Sequence, residues 1–361
     1  MPKNGMLVRI AVAVAAVAVL ATIAVTAAGA ARQSVTLKGD GSTFVQPLIN
    51  AWTQLPSPGA SPFTSATHIN VTYGGGGSGA GVADIIAKTV DFGASDAPLS
   101  VYASTCTTCV QIPWALSGTA VIYRIDNVKP ATAVIKMTGA VLAKIYLGQI
   151  KYWDDKQIKL LNKGVTIPHT AITTVHRDSS SGTTYNFTDY LSHVSSYWRT
   201  HYGAQTLIGS WPGSTQQGHG SSGVDAAVKA TNGAVGYVDV YYGVSTHLKF
   251  MFMQNRSGKY LQPTTATIAA AAKLDTTPKA DGTLDIVNPP ASLKYKNAYP
   301  ISTYTYVDIQ QHSGANAGAL KTFVTWVLGP TGQALSKQNI FVPLPTTVIS
   351  FDKKQIAKIK S

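Results

Sequence analysis

The segment from Ile69 to Asp96 reads INVTYGGGGSGAGVADIIAKTVDFGASD and holds one full unit of strand, loop, helix and strand. Ile69 to Tyr73 alternates apolar and polar residues, which predicts a strand, and the glycine-rich run after it predicts a turn. Gly81 to Lys88 has the spacing of an amphipathic helix, and Val90 to Ala94 is apolar enough for a buried strand. The same order recurs along the chain, so the sequence predicts α/β architecture with a largely parallel sheet.

Loops rich in glycine, serine and threonine stand at several of the predicted strand-to-helix junctions. They are Gly39–Phe44, Gly74–Gly79, Ser95–Asp96 and His176–Thr184. Open α/β sheets bind ligands at the carboxyl ends of their strands, where such loops meet. We therefore expect these loops to line one common site.

The stretch His176–Thr184 reads HRDSSSGTT and places Arg177 beside a run of hydroxyls. It directly precedes a helix that we predict from Tyr185 to Val194. An arginine fork pairs with two oxygens of an oxyanion, and the N–H groups and dipole of a helix start also favour negative charge. The stretch therefore indicates a site for a small anion. The alternative is a serine-rich surface turn that caps a helix, with Arg177 in an ordinary surface ion pair.

Asp96 discriminates between possible anions. An ionised carboxylate only accepts hydrogen bonds, so it repels an anion unless the ligand has a proton to donate. Protonated phosphate has such a proton and sulfate does not, and a site built to receive it rejects analogues that lack it. The alternative interpretation of Asp96 is a helix N-cap before Ala97-Pro98.

The overall composition favours an exported protein that attracts anions. The chain has 361 residues, a net charge of +13 and only 12% charged residues. Its lysines are scattered and no nucleic-acid motif accompanies them, so we interpret the charge as a general positive potential and expect no nucleic-acid partner. All 16 acidic residues are Asp. We hypothesise that the protein is exposed to acid; chance drift in composition is the alternative.

The N-terminus has the pattern of an export signal. Lys3 and Arg9 precede an uncharged apolar run from Ile10 to Ala31, with small residues at Ala28–Ala30. Residues 1–31 are therefore predicted to be either a secretory signal peptide or an uncleaved membrane anchor. Positive charges ahead of the run direct the rest of the chain outward, which predicts an extracytoplasmic location.

Cys106 and Cys109 are the two cysteines of the chain. Such a Cys-x-x-Cys pair can be a redox motif, half of a zinc site or a small disulfide loop. The sequence has no second cysteine pair or histidine cluster to complete a zinc site, so no metal is expected. Export favours a structural disulfide.

Several sequence elements together carry a family resemblance. They are Gly39–Phe44, Gly77–Ser78, Thr89–Ser100, Ile145–Ile150, Trp153–Asp155, Arg177–Thr183, Gly233–Val238 and Tyr299–Ser302. In this order, and over nearly the whole chain after the N-terminal segment, they resemble the substrate-binding protein of the phosphate-specific ABC transporter.

The resemblance implies a two-lobed fold of the periplasmic-binding-protein type II-like class. Each lobe would be a mixed sheet flanked by helices, with the ligand in the hinge cleft between them. One lobe would contain residues 34–116 plus 297–361, and the other residues 117–296. The protein would be a monomer without a cofactor, which binds inorganic phosphate and delivers it to the membrane permease of an ABC transporter.

The resemblance also implies the ligand contacts. Position by position they would be Thr43, Phe44 (through its backbone N–H), Ser78, Asp96, Arg177, Ser181, Gly182 and Thr183, with Ser95 and Asp178 in support. The family often has an Asp two residues after the arginine to orient the guanidinium. Here Ser179 holds that place and Asp178 precedes it. How Arg177 is held is therefore left open. A second departure is Gly79, where the family often has another serine.

An enzyme is a rival interpretation from another functional class. His176 could act as a base for a hydroxyl such as that of Ser78, but Gly77–Ala80 does not fit the G-x-S-x-G nucleophile elbow. We also expect His176 to face outward on its strand. The sequence therefore favours binding over catalysis and, through Asp96, phosphate over sulfate or molybdate. A surface adhesion protein with a long N-terminal anchor is a third interpretation.

Overall fold

A strand of 15 residues, Cys109–Tyr123, runs through the centre of a nine-stranded mixed sheet. The computed structural model describes residues 35–54, 62–102 and 106–361. Within these ranges the strands are β1 (Thr36–Gly41), β2 (Asn70–Tyr73), β3 (Phe92–Ser95), β4 (Cys109–Tyr123), β5 (Lys136–Met137), β6 (Thr173–Arg177), β7 (Thr215–Gly218), β8 (Ala234–Asp239), β9 (Lys249–Phe250), β10 (Phe252–Gln254), β11 (Tyr260–Leu261) and β12 (Ser302–Gln310). The helices are α1 (Gln46–Thr53), α2 (Pro62–Thr67), α3 (Ser78–Ala87), α4 (Gly139–Tyr146), α5 (Lys156–Leu161), α6 (Gly182–Val194), α7 (Ser196–His201), α8 (Gly220–Ala230), α9 (Val240–Ser245), α10 (Thr265–Ala272), α11 (Ala317–Leu328), α12 (Pro330–Gln338) and α13 (Thr346–Ile356).

Parallel pairs form the outer parts of the large sheet, and antiparallel pairs form its centre. The strand order is β2-β1-β3-β12-β4-β8-β6-β7, with β9 also paired to β4. β1 is parallel to β2 and β3, and β6 is parallel to β7 and β8, whereas β12 is antiparallel to both β3 and β4. The mixed sheet implied by the family resemblance is confirmed. The expected largely parallel sheet holds only for the outer strands, because β12 returns from the C-terminal part of the chain and inserts against the direction of its neighbours.

Strand β4 belongs to both halves of the sheet. It pairs with β12 through Gly118 and with β8 from Thr119 onward. It therefore links a first half-sheet (β1, β2, β3 and β12) to a second half-sheet (β6, β7 and β8). The sequence predicts a strand over Thr119–Tyr123, within the stretch Ile112–Ile125, and in the structure this strand begins earlier, at Cys109. In the structure Pro113 adjoins an irregularity where the register against β12 shifts.

Aromatic side chains pack in two groups within one continuous hydrophobic core, one group beside each half-sheet. Trp52 packs edge-on against Trp114, with 5.3 Å between ring centroids, and Trp114 also contacts Phe323. On the other side Phe187 stacks on Tyr237 at 4.3 Å. All five rings are buried. Because large rings bury much apolar area in a defined geometry, they stabilise the strands whose ends carry the loops.

Two helices begin earlier than the sequence predicts. Helix α3 begins at Ser78 rather than Gly81, and α6 begins at Gly182 rather than Tyr185. Glycine, serine and threonine have low helix propensity, which hides these first turns in the sequence. Ser181 caps α6 by accepting a hydrogen bond from a backbone N–H of the first turn at 3.3 Å. The hydroxyls of both loops are therefore held at helix N-termini.

The described residues between Thr36 and Ser361 form one compact unit. The predicted signal peptide or anchor, residues 1–31, lies outside the described residues. Within the described ranges, no helix is long and apolar enough to cross a membrane. No group of three or more histidine, cysteine or acidic side chains there could hold a metal ion. Cys106 and Cys109 are joined by the expected disulfide.

Candidate anion-binding site

The loop after β1 fixes the carboxylate of Asp96. Ser42 Oγ lies 2.7 and 2.6 Å from the two oxygens of Asp96, so its single proton is shared between them. Ser42 Oγ also accepts the backbone N–H of Phe44 at 3.0 Å. That N–H, expected to face the anion, thus bonds to a side chain of its own loop in this structure. Ser42 was not among the predicted contacts.

The glycine loop before α3 places Ser78 on the other side of Asp96. Ser78 Oγ donates to Asp96 Oδ2 at 3.4 Å. Asp40 holds the loop, because its Oδ1 accepts the backbone N–H of Gly76 at 2.9 Å. Only glycine suits position 77, since its φ is +95° and a Cβ there would lie 3.2 Å from Nη2 of Arg177. The loop therefore brings the start of α3 against the guanidinium.

Asp96 is 2% exposed and follows directly after β3. Burial raises its pKa to about 6, against the hydrogen bonds from Ser42 and Ser78 and the charge of Arg177, which lower it. The carboxyl group is therefore ionised at neutral pH and can accept a proton from a ligand. The N-cap interpretation is wrong, because Pro98 precedes the short 3₁₀ turn that follows and Asp96 accepts side-chain hydroxyls instead.

Arg177 is the cation of the site. It ends β6 and is 4% exposed, so burial lowers the pKa of its guanidinium. Its Nη1 donates to Ser181 Oγ at 2.9 Å and to Thr43 Oγ1 at 3.3 Å. Its Nε is buried without a hydrogen-bond partner in the described part of the chain. No carboxylate of the described residues forms an ion pair with it, so the surface-turn interpretation of Arg177 is wrong.

Asp178 and Ser95, the two residues expected to support the ligand contacts, interact with other groups of the loops. Asp178 Oδ2 lies 3.0 Å from Nδ1 of His219, so its carboxylate contacts a histidine rather than Arg177. Ser95 Oγ donates to the carbonyl of Ala97 at 2.7 Å and lies 2.9 Å from the hydroxyl of Tyr102. Ser95 therefore shapes the turn that carries Asp96. The guanidinium of Arg177 is held by hydroxyls instead of by an acid.

The first turn of α6 supplies the remaining predicted residues. Ser181 is fully buried, and Thr183 has a buried Oγ1 with no hydrogen-bond partner among the described residues. A Cβ at Gly182 would lie 2.7 Å from the backbone nitrogen of Asp96, so only glycine allows this approach. The positive end of the helix dipole therefore meets the loop after β3.

Thr43 joins the cluster through a residue that sequence reasoning missed. Its Oγ1 accepts the backbone N–H of Ser221 at 3.0 Å and lies 3.1 Å from Ser221 Oγ. Ser221 stands in the first turn of α8, after Gly218-His219-Gly220. That glycine-containing run before a helix is the same signal as in the other loops. It could have identified Ser221.

The structure brings the predicted contacts into one buried cluster. Of its hydroxyl and charged members, none is more than 6% exposed: Ser42, Thr43, Ser78, Asp96, Arg177, Ser181, Thr183 and Ser221.

His176 has no catalytic arrangement. It is 4% exposed, so the expectation that it faces outward is wrong. Its ring stacks on Trp211 with 4.9 Å between centroids, and Nδ1 lies 3.0 Å from the carbonyl of Arg177. Burial lowers its pKa. The ring is a packed core group next to the site.

Comparisons with known proteins point to one class. A model of the PBP superfamily domain matches residues 26–331. The phosphate-binding protein PstS of Xylella fastidiosa (strain Temecula1) is 34% identical over 320 residues, covering 88% of this chain and 84% of the relative. PstS of Methanocaldococcus jannaschii is 31% identical over 349 residues, covering 91% of this chain and 87% of the relative.

Solved structures agree on the fold. A high-affinity periplasmic phosphate-binding protein, PfluDING, solved with phosphate bound, has a TM-score of 0.70 at 22% identity and covers 89% of this chain and 93% of its own. A phosphate-binding protein from Stenotrophomonas maltophilia has a TM-score of 0.67 at 18% identity, with coverage of 89% and 93%. At these identities the likeness shows the two-lobed α/β fold alone.

Proposed function

This chain belongs to the family of phosphate-binding proteins, and we propose that it binds inorganic phosphate outside the cytoplasm and delivers it to an ABC-type importer. The binding would be of high affinity and would involve no catalysed reaction. The relatives named above carry phosphate binding in their names. The buried cluster around Arg177 provides the chemistry.

The surroundings of Arg177 carry this proposal. A buried charge without a counter-ion is costly, because a guanidinium that leaves water loses several kcal/mol of solvation. Hydroxyls of Thr43 and Ser181 contact the guanidinium, whereas Asp96 and Asp178 act on it only through their charge, because no carboxylate of the described residues forms an ion pair with it. A small anion in contact with Nε and the hydroxyls would supply the missing direct ion pair.

Asp96 supports phosphate over another oxyanion. Its carboxylate lies in the same cluster, joined to it through Ser42 and Ser78. A fully deprotonated anion such as sulfate would face this carboxylate without a proton to share. A protonated phosphate would instead donate to it, so the site favours phosphate.

Closure by a hinge fits the path of the chain. We propose that the first lobe contains residues 34–116 plus 297–361 and the second residues 117–296. β4 passes from the first half-sheet to the second between Gly118 and Thr119, within three residues of this boundary. Thr43, Ser78 and Asp96 belong to one proposed lobe, and the residues Arg177 to Thr183 to the other. Phosphate between them would hold the lobes together.

The remaining parts of the proposal concern location and partners. Residues 1–31 would export the chain and be either removed or kept as a membrane anchor. The mature protein would work as a monomer on the outer side of the membrane and dock on a membrane permease. No cofactor takes part in the proposed binding.

Calorimetric titration of the protein with phosphate, arsenate and sulfate at pH 7.5 tests the function. We expect tight binding of phosphate and arsenate, since both carry a proton at this pH, and much weaker binding of sulfate. Saturating phosphate should also raise the melting temperature, because a ligand that binds only the folded state stabilises it.

Arg177→Met is the matched variant for this titration. It keeps an unbranched side chain but lacks the charge, so phosphate affinity should fall by about 100-fold or more. Equal affinity for sulfate and phosphate in the unmutated protein would refute the assignment. Unchanged phosphate binding by Arg177→Met would refute this site.

A further inference from the structure

Thr43 is held from two sides by residues of the second proposed lobe. On one side its Oγ1 contacts Ser221, through the backbone N–H at 3.0 Å and through Oγ at 3.1 Å. On the other side its backbone carbonyl accepts the hydroxyl proton of Tyr242 at 3.1 Å. Ser221 stands at the start of α8 and Tyr242 on α9. Neither belongs to the ligand contacts implied by the family resemblance.

The hydrogen bonds that Thr43 Oγ1 accepts determine where its own proton goes. A hydroxyl oxygen has two acceptor positions and one proton. The N–H of Ser221 and Nη1 of Arg177 both donate to Thr43 Oγ1, which fills its acceptor positions. The proton of Thr43 must therefore be given away, and Ser221 Oγ is the acceptor at hand. While the lobes are closed, Ser221 thus accepts this proton when no anion takes it, and its backbone N–H keeps Thr43 Oγ1 in place when an anion does.

Burial makes these contacts depend on closure. Ser221 is 1% exposed and Thr43 is 6% exposed, so the pair is shielded from water in this conformation. If the lobes part, both groups return to water and the hydrogen bonds between them are lost. A hydrogen bond formed only in the closed state shifts the equilibrium toward that state.

We propose that Ser221 and Tyr242 form a latch on Thr43 that sets how long the closed state lasts, without touching the ligand. The latch rests on the proposed phosphate-binding function and on the proposed lobes. Both residues are positioning residues. The latch slows ligand release and leaves the choice between anions to Asp96 and Arg177.

The chain offers a matched control for each latch residue. Ser222 follows Ser221 in the same turn and is exposed, and Tyr241 precedes Tyr242 on the same helix. The hydroxyl of Tyr241 makes no hydrogen bond to any residue in the described ranges. The comparison therefore pairs Ser221→Ala with Ser222→Ala, and Tyr242→Phe with Tyr241→Phe.

Stopped-flow measurement of phosphate release and association by the full chain tests the latch. We expect release to be about five-fold faster in Ser221→Ala and in Tyr242→Phe, since each loses about one net hydrogen bond. Association should stay within about two-fold, because opening exposes the same ligand contacts. Arsenate release should accelerate by the same factor as phosphate release, because the latch does not touch the ligand.

The outcomes separate the latch from the function. If both latch variants release phosphate at the same rates as Ser222→Ala and Tyr241→Phe, the latch is wrong. The proposed phosphate binding is then unaffected. Acceleration that differs between phosphate and arsenate would assign these residues to the ligand instead and also overturn it. If the unmutated chain binds no phosphate, the proposed function fails. In that case small-angle X-ray scattering of the ligand-free chain tests the latch. We expect a larger radius of gyration for the Ser221→Ala/Tyr242→Phe double variant than for the Ser222→Ala/Tyr241→Phe double control.

Discussion

Asp96 and Asp352 are both buried carboxyl groups, but their surroundings differ. Asp96 is 2% exposed and accepts hydrogen bonds from Ser42 and Ser78. Asp352, on α13, is fully buried, and neither of its oxygens has a hydrogen-bond partner in the described part of the chain. Burial raises the pKa of Asp96 to about 6 and that of Asp352 to about 9. Donors and a nearby cation thus decide which buried acid ionises at neutral pH.

Two further buried aspartates fall between these extremes. Asp239 accepts Ser117 Oγ at 2.9 Å and the N–H of Tyr241 at 2.7 Å, and burial raises its pKa to about 8. Among the described residues, Asp308 accepts a side-chain hydrogen bond from the amide of Gln111 alone, at 3.3 Å, and burial raises its pKa to about 8. Neither forms an ion pair with a described cation. Among these four acids, only Asp96 combines several donors with a neighbouring arginine.

The largest expected effect comes from removing the charge of Asp96. Asp96→Asn keeps the shape but replaces one acceptor oxygen with an amide donor, which cannot receive the proton of phosphate. We expect the ratio of phosphate to sulfate affinity at pH 7.5 to fall by about 100-fold or more. Calorimetric titration with the two anions measures the ratio.

The unmutated protein provides the control for this prediction. Its preference for phosphate should decline as pH falls below about 6, because Asp96 then takes up a proton in the ligand-free protein. The Asn variant should show no such step. A constant preference from pH 5 to 8 in the unmutated protein would mean that Asp96 does not face the anion.

The second effect concerns stability and Asp352. A carboxyl group whose pKa is raised on folding contributes its full stability below the unfolded pKa and loses it as pH rises through the folded value. For Asp352 this window runs from about 4 to about 9. The titratable side chain that interacts with it is Tyr304, whose own pKa burial raises. We expect the ligand-free protein to melt on the order of 5 °C higher at pH 5 than at pH 8.

Asp352→Asn should flatten this pH dependence, because an amide does not ionise. Differential scanning calorimetry at the two pH values measures the difference in melting temperature. The exposed Asp281 is the matched control, and Asp281→Asn should leave the difference unchanged. An equally steep pH dependence in Asp352→Asn would show that this carboxyl group does not titrate as its burial implies.

Raised pKa values in buried aspartates agree with the hypothesis of an acid-exposed protein. Each such group favours the folded state more at low pH than at high pH. A chain with Asp as its only acidic residue type and several neutral buried carboxyl groups depends little on ionised acids. If the free energy of unfolding falls sharply below about pH 4, where ordinary carboxylates titrate, this hypothesis is wrong.

The smallest effect comes from Ser42, which makes the short hydrogen bonds to Asp96. Ser42→Ala removes this donor, so the pKa of Asp96 should rise further. The step in phosphate preference should then move to higher pH, and phosphate affinity at pH 7.5 should fall by about five-fold. The same calorimetric series over pH reveals the shift. A step at the same pH as in the unmutated protein would mean that Ser42 only shapes its loop.

Much of the site could be predicted from the sequence because its residues lie in short local patterns. Glycine and hydroxyl residues between a strand and a helix identify loops at strand ends, and the structure brings these loops together around Arg177. The same local reasoning hid the starts of α3 and α6, since glycine and serine are poor helix formers. It also placed His176 on the surface, because the alternation of a strand does not reveal that Trp211 covers it.

The sequence by itself determined the α/β class and the loops, and it predicts the residue types of an anion site with one cation and one discriminating acid. Only the tertiary structure decided how that cation and acid are held: Ser42 bonds to Asp96, 54 positions away, and Ser221 to Thr43, 178 positions away. It also showed that Asp178 contacts His219 instead of Arg177. The physical reason is that a hydrogen bond needs its donor and acceptor atoms about 3 Å apart. For residues far apart in sequence, only the packing of the chain sets that distance.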